Sequence, residues 1–204
     1  MNKHKIILYT LFFTFYVVNG QINTYSPYSY FALGQLHPVG NNYNISMGGL
    51  GTSINSNQYL NYINPASYSF LDRTAFEFGM RSSFIQMSEN NLQQKNFVSG
   101  LTSIGIGFPI SQKVSLSASL LPYSSVGYSM HTDEVVFNQT LAPQDSIAAS
   151  TTLYNGSGGI NKFLIGISFN ILENLSMGAN FNYLFGSIQQ ETRLSSNQSP
   201  WYFR

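Results

Sequence analysis

The sequence predicts an all-β protein: a transmembrane antiparallel β-barrel, of which about five strands are present, preceded by an irregular N-terminal hatch. Three observations carry this prediction. Charged residues make up only 8% of the 204 residues, against roughly 25% in a typical soluble domain. Long segments alternate between apolar and small polar side chains, as lipid-facing barrel strands do. Beyond residue 20, no apolar run approaches the roughly twenty residues that a membrane-spanning helix needs.

Residues 1–20 are predicted to form a cleaved signal peptide. Lys3 and Lys5 precede the apolar run 6–18, and the small residue Gly20 stands before the expected cut at Gln21. The run is shorter than a membrane-spanning helix, so an uncleaved N-terminal anchor is the less favoured alternative. Export together with a barrel predicts that the protein is located in the outer membrane of a Gram-negative cell.

Residues 21–73 are predicted to form the hatch, a plug that is not part of the barrel wall. The segment is rich in glycine, proline and asparagine, and it shows no sustained alternation. About fifty residues are too few to bury a substantial core of their own. We therefore expect the hatch to lie inside a barrel lumen, where the wall supplies the missing contacts.

Residues 74–190 are predicted to hold the first five barrel strands, beginning near residues 76, 98, 114, 163 and 175. In the third segment the apolar positions continue on one face from Val114 through Val126 and Tyr128 to Met130. These runs reach or exceed the roughly 9–11 residues of a tilted membrane-crossing strand. Their other face carries serine, asparagine and glycine, which suit a wet or plugged lumen. A soluble secreted β-sandwich is the alternative, for which more charge and shorter strands are expected.

An internal repeat supports the assignment of strands, since residues 105–120 match residues 166–181 at a constant offset of 61. Each copy is predicted to be a β-hairpin with a short turn. The connections near 89–96 and 131–159 are predicted to be longer outer loops, and residues 191–204 an outer loop or a truncated end. Five strands fall below the eight of the smallest single-chain barrels, so we expect the chain to be the front part of a longer protein.

The residues offer little support for catalysis, cofactor binding or a metal site, and the protein is predicted not to be an enzyme. The chain has no cysteine, and His37 and His131 stand 94 positions apart without metal-ligand spacing. Ser129 near His131 is the nearest hint of a serine–histidine pair, and coincidence explains it better. A net charge of +1 without a basic stripe excludes electrostatic nucleic-acid binding.

The few charged side chains after residue 73 divide between strands and loops. Glu77 and Arg81 are predicted to face the lumen from the first strand and to meet each other or the hatch. Lys162 is predicted to face the lumen from the fourth strand, where it is a candidate contact for an anionic head group. The acidic residues of the long loop between the third and fourth strands are candidate ligands for a divalent cation, although a solvated loop tip is favoured; they are Asp133, Glu134 and Asp145.

A set of short motifs resembles the N-terminal portion of the FadL/OmpP1/TodX family of outer-membrane transport proteins, in its Bacteroidetes form. The motifs are Gly34, the run Ser-Met-Gly-Gly-Leu-Gly at 46–51, the run Asn-Pro-Ala at 64–66 and the start of the first strand at 70–76. The resemblance implies a hatch that plugs a barrel and passive uptake of hydrophobic compounds, such as long-chain fatty acids or aromatic hydrocarbons. The hatch and gating residues that it implies are Asn64, Pro65, Ala66, Gly48, Gly49 and Gly51.

The partners expected on this basis are a hydrophobic small molecule, outer-membrane lipid or lipopolysaccharide, and the barrel-assembly machinery. The resemblance also leaves an alternative open, because barrels of this kind include secretion-system components. In that case the chain is a non-transport structural component of the outer membrane, and its partner is a secreted protein.

Overall fold

The computed structural model describes residues 24–89, 92–137, 147–172, 174–196 and 199–203. The predicted signal peptide and Asp145 lie outside these residues. The strands are β1 (Gln35–Leu36), β2 (Ala75–Glu89), β3 (Leu92–Pro109), β4 (Val114–Phe137), β5 (Ile147–Leu172), β6 (Leu175–Ser196) and β7 (Ser199–Phe203). Within these described residues, helical structure is confined to α1 (Asn42–Ser46) and two 3-10 turns, Pro27–Tyr30 and Pro65–Phe70.

The strands form one antiparallel sheet in the order β2-β3-β4-β5-β6-β7, with β1 paired to β4 beside this path. The prediction of an all-β fold is confirmed. The described strands make an open sheet and do not close into a barrel. None of the helices in the described ranges has the length and apolar character needed to cross a membrane.

The strands are longer than the sequence pattern suggested. β4 has 24 residues and β5 has 26, and at roughly 3.3 Å per residue each extends about 80 Å. The prediction of long loops near 89–96 and 131–159 is therefore wrong, because β2 and β3 pair out to Glu89↔Leu92 and β4 and β5 pair out to Phe137↔Ile147. In the second of these segments, valine and threonine residues continue the ladder although strict alternation fades.

The expectation of an outer loop is wrong for residues 191–196 and 199–203, which are strand. β6 continues through this region to Ser196, and the short strand β7 folds back to pair with it. Thr192 pairs with Phe203 and Leu194 pairs with Trp201, so cross-strand pairing extends the sheet by one further strand.

Two β-bulges change which face the side chains occupy. One extra residue, Thr102, interrupts the register of β2 and β3, and another, Tyr123, interrupts the register of β4 and β5. One inserted residue sends every following side chain to the opposite face. The expectation that Val126 and Tyr128 share the face of Val114 is therefore wrong, and the ring of Tyr128 instead packs against the hatch.

The two faces of the sheet have opposite character. The outer face carries large apolar side chains that are mostly exposed, among them Phe76, Phe78, Phe84, Phe97, Phe163, Ile165, Met177 and Phe181. The inner face carries small polar side chains that are almost completely buried, among them Ser103, Ser115, Ser117, Ser119 and Ser168. Phe84 is 88% exposed, whereas Ser117 is 1% exposed. The inner face is buried because the described part of the hatch, residues 24–73, covers it.

Candidate functional site

The hatch binds the sheet through a small apolar core. Leu60, Tyr62, Tyr68 and Leu71 of the hatch are buried, and they cluster with wall residues Ala75, Leu121 and Leu164. These hatch side chains supply the large apolar surface that the inner face of the wall lacks. The hatch and the wall thus share one core, as expected for a segment too small to form its own.

Asparagine side chains supply many of the hydrogen bonds inside the hatch, where helices and strands are short. Asn41 caps α1 and forms a reciprocal capping box with Asn44. The Nδ2 groups of three asparagines donate to backbone carbonyl oxygens: Asn41 to Leu60 at 2.6 Å, Asn44 to Leu50 at 2.8 Å and Asn61 to Ile54 at 2.9 Å. Buried carbonyl groups are thereby satisfied without a ladder, which explains why this segment is rich in asparagine and shows no alternation.

Glycines in the wall make room for the large hatch side chains. A Cβ atom at Gly107 would overlap Leu60, and a Cβ atom at Gly166 would overlap Tyr68. These positions are small because another chain segment packs directly on them. The serine and glycine pattern of the inner face therefore indicates a docking surface for the hatch.

The predicted gating motif, Asn64 to Ala66, lies where the hatch meets β6. The Asn64 side chain accepts a hydrogen bond from the Ala66 N–H at 3.2 Å and donates to the Thr52 carbonyl at 2.9 Å. Pro65 begins the second 3-10 turn, a position where its missing N–H costs nothing. The Pro65 backbone sits so close to Gly178 that a Cβ there would overlap it. The motif thus anchors the hatch, and its movement as a gate stays a prediction.

The three predicted hatch glycines fall into two groups. Gly48 and Gly49 follow α1 with φ of +75° and +88°, a conformation that favours glycine. Among the described residues, no atom beyond the immediate neighbours in sequence lies within 4 Å of a Cβ built at either position. Gly51 instead packs tightly against Ile63 and the Asn61 side chain. Gly48 and Gly49 therefore shape an exposed turn, while Gly51 belongs to the packed part of the hatch.

A hydrogen-bonded pair fastens the hatch to β6. Tyr68 donates from its hydroxyl to Asn180 Oδ1 at 3.1 Å, and Asn180 Nδ2 donates to the Tyr62 carbonyl at 3.1 Å. Burial raises the pKa of the Tyr68 hydroxyl to about 12 and also raises the pKa of Tyr62. Tyr68 therefore remains a neutral donor at physiological pH. These contacts span more than 110 positions of sequence, so alternation alone could not identify them.

The wall contains a gap between β3 and β4. These strands pair only from Ile104–Pro109 to Ser115–Leu120, although both continue for many more residues. We call the space between residues 92–103 of β3 and residues 121–137 of β4 the wall gap. Beyond the paired part, residues 92–103 of β3 stay paired with β2, and residues 121–137 of β4 stay paired with β5. The sheet is therefore split along part of its height.

The hatch occupies the β4 side of the wall gap. β1 pairs with β4 through Gln35↔Ser125 and Leu36↔Ser124. The Ser26 N–H donates to the Gly127 carbonyl at 2.9 Å, and the His37 N–H donates to the Tyr123 carbonyl at 2.9 Å. An extended segment of the chain is thus already added to one exposed strand edge in the gap.

Two cavities lie along the wall gap. The smaller, about 200 Å³, is lined by hatch residues that include His37 and by β2 and β3 residues that include Arg81 and Thr102. The larger, about 800 Å³, lies between Tyr28 of the hatch, Gln93 of β3 and the part of β4 that contains Ser129 and His131. A third cavity of about 950 Å³ lies above the hatch, against the inner sides of β4, β5 and β6.

The predicted lumen charges are separated from one another. Glu77 accepts a hydrogen bond from Ser103 Oγ at 2.6 Å, whereas Arg81 lines the smaller cavity beside His37. Glu77 and Arg81 are four positions apart along β2, so their Cα atoms are roughly 13 Å apart, and no ion pair joins these two described side chains. Each of them therefore faces a different part of the hatch and the wall.

His37 connects the hatch to the wall through its ring. Its Nε2 atom lies 2.7 Å from Ser125 Oγ. Burial, and next the nearby positive charge of Arg81, lower the pKa of His37 below its usual 6.5. The ring is therefore neutral when the hatch is docked at neutral pH.

The remaining candidates from the sequence are dispersed. Lys162 is 9% exposed on the inner face of β5, and no carboxylate within the described ranges pairs with it. Asp133 accepts a hydrogen bond from Thr151 across β4 and β5, so it belongs to a strand and not to a loop tip. The side chain of Glu134 lies outside the description. No group of three or more potential metal ligands is found in the described part of the chain.

Comparison with known proteins identifies the family. A family model described as BamG matches residues 1–202, so the chain belongs to the BamG family. No curated protein and no solved structure matches the chain. Membership of this family implies a protein associated with the outer membrane.

The family match corrects the resemblance to the FadL/OmpP1/TodX transporters. That identification is wrong, and so are the expected uptake of hydrophobic compounds and the role in lipid transport, because the match to BamG covers almost the whole chain. The motifs behind the resemblance are short, and the structure gives Asn64 and Pro65 a docking role that any plugged wall would need. The alternative, a structural outer-membrane component, fits the family better.

Proposed function

We propose that this chain, as a member of the BamG family, is a component associated with the barrel-assembly machinery of the outer membrane. The family match over residues 1–202 is the observation that carries the proposal. We further propose that the chain acts by binding and not by catalysis.

The outer face supports a position within the membrane. Its phenylalanine, isoleucine and methionine side chains form a broad exposed apolar surface of the kind that barrel walls present to lipid. In water such a surface would be an aggregation liability. We propose that the long strands form a sector of a transmembrane wall and that outer-membrane lipid contacts this face.

The hatch supports a structural role for the inner face. Leu60, Tyr62 and Tyr68 fill the space above the wall glycines, and backbone and side-chain hydrogen bonds fix the hatch to β4 and β6. An apolar route through this packed layer would require the hatch to detach. A plugged wall that presents a partly open strand edge suits a protein that binds other outer-membrane polypeptides.

Depletion of the protein in its native cell tests the proposal. Folded outer-membrane barrels run faster than unfolded ones in unheated gels, so their amounts can be followed during depletion. We expect several folded barrels to decrease together, and a complementing copy to restore them. Normal amounts of all folded barrels after complete depletion would overturn the proposal.

A second measurement tests the association directly. After chemical cross-linking in intact cells, a tagged full-length copy should co-purify with the central barrel protein of the assembly machinery. An abundant outer-membrane porin serves as the control, since it should not be enriched. Equal recovery of the porin and the machinery would contradict a specific association.

A further inference from the structure

In the described part of the wall, the β4-facing edge of β3 is an unpaired strand edge over residues 92–103. Residues 92–103 pair with β2 on one side, and within the described ranges no strand pairs with their other side. Unpaired backbone N–H and C=O groups cost several kcal/mol each in hydrocarbon. An edge of this kind is a template for another extended chain.

The outer part of the wall gap, beside Gln93 and Gln94 of β3, contains a cavity that an incoming chain can enter. The hatch covers the β4 edge near Ser124 and Ser125 but leaves the β3 edge unpaired. The cavity of about 800 Å³ lies between Gln93 and Gln94 of β3 and residues 128–131 of β4. β1 shows that an extended segment can add to a strand in this space, because it already does so on the opposite side.

The surroundings of the edge specify the side chains of an incoming segment. Phe97 is 60% exposed on the outer face, and its ring lies 5.0 Å from that of Phe84. Val98 and Gly100 face the smaller cavity on the inner side. A strand added here would place alternate side chains against lipid and against the polar interior, so it should itself alternate between apolar and polar residues.

We propose that the β3 edge of the wall gap binds an extended, alternating apolar and polar polypeptide segment by strand addition, with an unassembled outer-membrane β-strand as the partner. This inference rests on the proposed function, since it names the class of polypeptide that the protein binds. Backbone hydrogen bonds supply the affinity, and the alternation of side chains supplies the selectivity. The unpaired stretch at 92–103 has twelve residues, slightly more than the roughly 9–11 residues of a membrane-crossing strand.

Disulfide cross-linking tests the proposal, because the chain has no cysteine of its own. Ser99→Cys places a single thiol on β3 beside the wall gap. Thr152→Cys places one on β5, whose two sides are both paired, by Thr132 and Leu194. The probe is a synthetic peptide with the sequence of residues 175–184, in which cysteine replaces the residue corresponding to Ala179. The full-length protein is used in lipid nanodiscs.

We expect the peptide to form a disulfide with the Ser99→Cys variant in roughly tenfold higher yield than with Thr152→Cys. A scrambled peptide of the same composition, with the alternation removed, should lose this preference. Equal yields at the two positions, or equal yields with the two peptides, would overturn the proposal.

Hydrogen exchange of the unmodified protein gives a second measurement. The amides of residues 92–103 that do not bond to β2 should exchange rapidly and become protected when the peptide is added. Protection without the peptide would show that a segment of the chain itself covers the edge, and would overturn the proposal. The peptide experiments contain no assembly machinery. If depletion lowers the amounts of folded barrels but the peptide does not bind, only the edge site is overturned. If the peptide binds but depletion leaves the folded barrels unchanged, only the role in barrel assembly is overturned.

Discussion

In a soluble protein apolar side chains are usually buried and polar ones exposed, but the two faces of this sheet show the opposite. On β5, Leu164 and Ser168 of the inner face are almost fully buried, whereas Phe163 and Ile165 of the outer face remain substantially exposed. On the inner face, side chains are buried whether they are polar or apolar, and most of them are small because the hatch packs directly on them. Exposure on the outer face follows polarity, because apolar side chains suit lipid.

The comparison changes the meaning of the serine and glycine pattern. Small polar residues on alternate positions were expected to line a wet or plugged lumen. In the lower part of the wall they lie beneath Leu60 and Tyr68, where a larger side chain would not fit. The difference between the faces is therefore one between a surface for lipid and a surface for a packed chain segment, and each can be disrupted separately.

The largest effect is expected from a charge on the outer face. Phe181→Arg should destabilise the protein in a bilayer by about 2–4 kcal/mol, because the guanidinium would have to leave water for hydrocarbon. Phe181 is 68% exposed on the outer face of β6. The measurement is the free energy of unfolding of the protein in lipid vesicles.

The neighbouring inner residue provides the control for this substitution. Asn182→Arg places the same charge at the same height on the other face, and its effect should stay below about 1 kcal/mol. If the two variants were equally unstable, the outer face would not be the lipid-facing one.

The next effect is expected where the hatch packs on glycine. Gly107→Leu should destabilise the docked hatch by about 1–3 kcal/mol, because the new side chain would occupy the space of Leu60. Limited proteolysis should then cut the hatch faster than in the unmodified protein. Ile106→Leu, on the outer face beside it, is a change of shape without added volume and should leave the cleavage rate nearly unchanged. Similar cleavage of both variants would contradict size-driven docking.

A smaller effect is expected at the hydrogen bond between the hatch and β6. Tyr68→Phe should cost about 1–2 kcal/mol, since Asn180 Oδ1 would lose its buried donor while the ring remains packed. The change should appear in the denaturant midpoint of unfolding. Tyr28→Phe removes a hydroxyl from a side chain that is 83% exposed, so its midpoint should not change. A shift of the same size in Tyr28→Phe would exclude a specific contribution of the Tyr68 bond.

Local pattern predicted much of the wall and little of the hatch. Alternation placed Phe76, Phe181 and most of the outer face correctly, because strand geometry imposes a period of two. On β3 it failed for Val98, which precedes the bulge at Thr102, and on β4 it failed for Val126 and Tyr128, which follow the bulge at Tyr123. A bulge reverses the face of the residues beyond it, and the alternation of residue types does not mark its position.

The contacts of the hatch depend on residues that are distant in the sequence. Tyr68 meets Asn180, and Pro65 meets Gly178, only after the whole sheet has formed. The wall gap is equally hidden, because β3 and β4 have the same alternation whether or not they are paired. Family identity was also missed, since short glycine and proline motifs reflect the needs of docking and not a particular ligand.

The smallest effect is expected from pH at the contact between His37 and the wall. The pKa of His37 in the folded protein lies below its usual 6.5, because the ring is buried and Arg81 is nearby. Between these two pKa values the unfolded chain binds more protons than the folded one, so stability rises with pH in this window. The contribution of the neutral His37 ring to stability is therefore present above about pH 6.5 and is lost as the pH falls towards the folded pKa. The thermal midpoint should be a few degrees lower at about pH 5.5 than at about pH 7.5.

His37→Asn can still bond to Ser125 Oγ but takes up no proton, so it should reduce this difference between the two thermal midpoints. His131→Asn, an exposed site on β4, should retain it, and an unaltered difference in His37→Asn would show that other groups control the acid sensitivity.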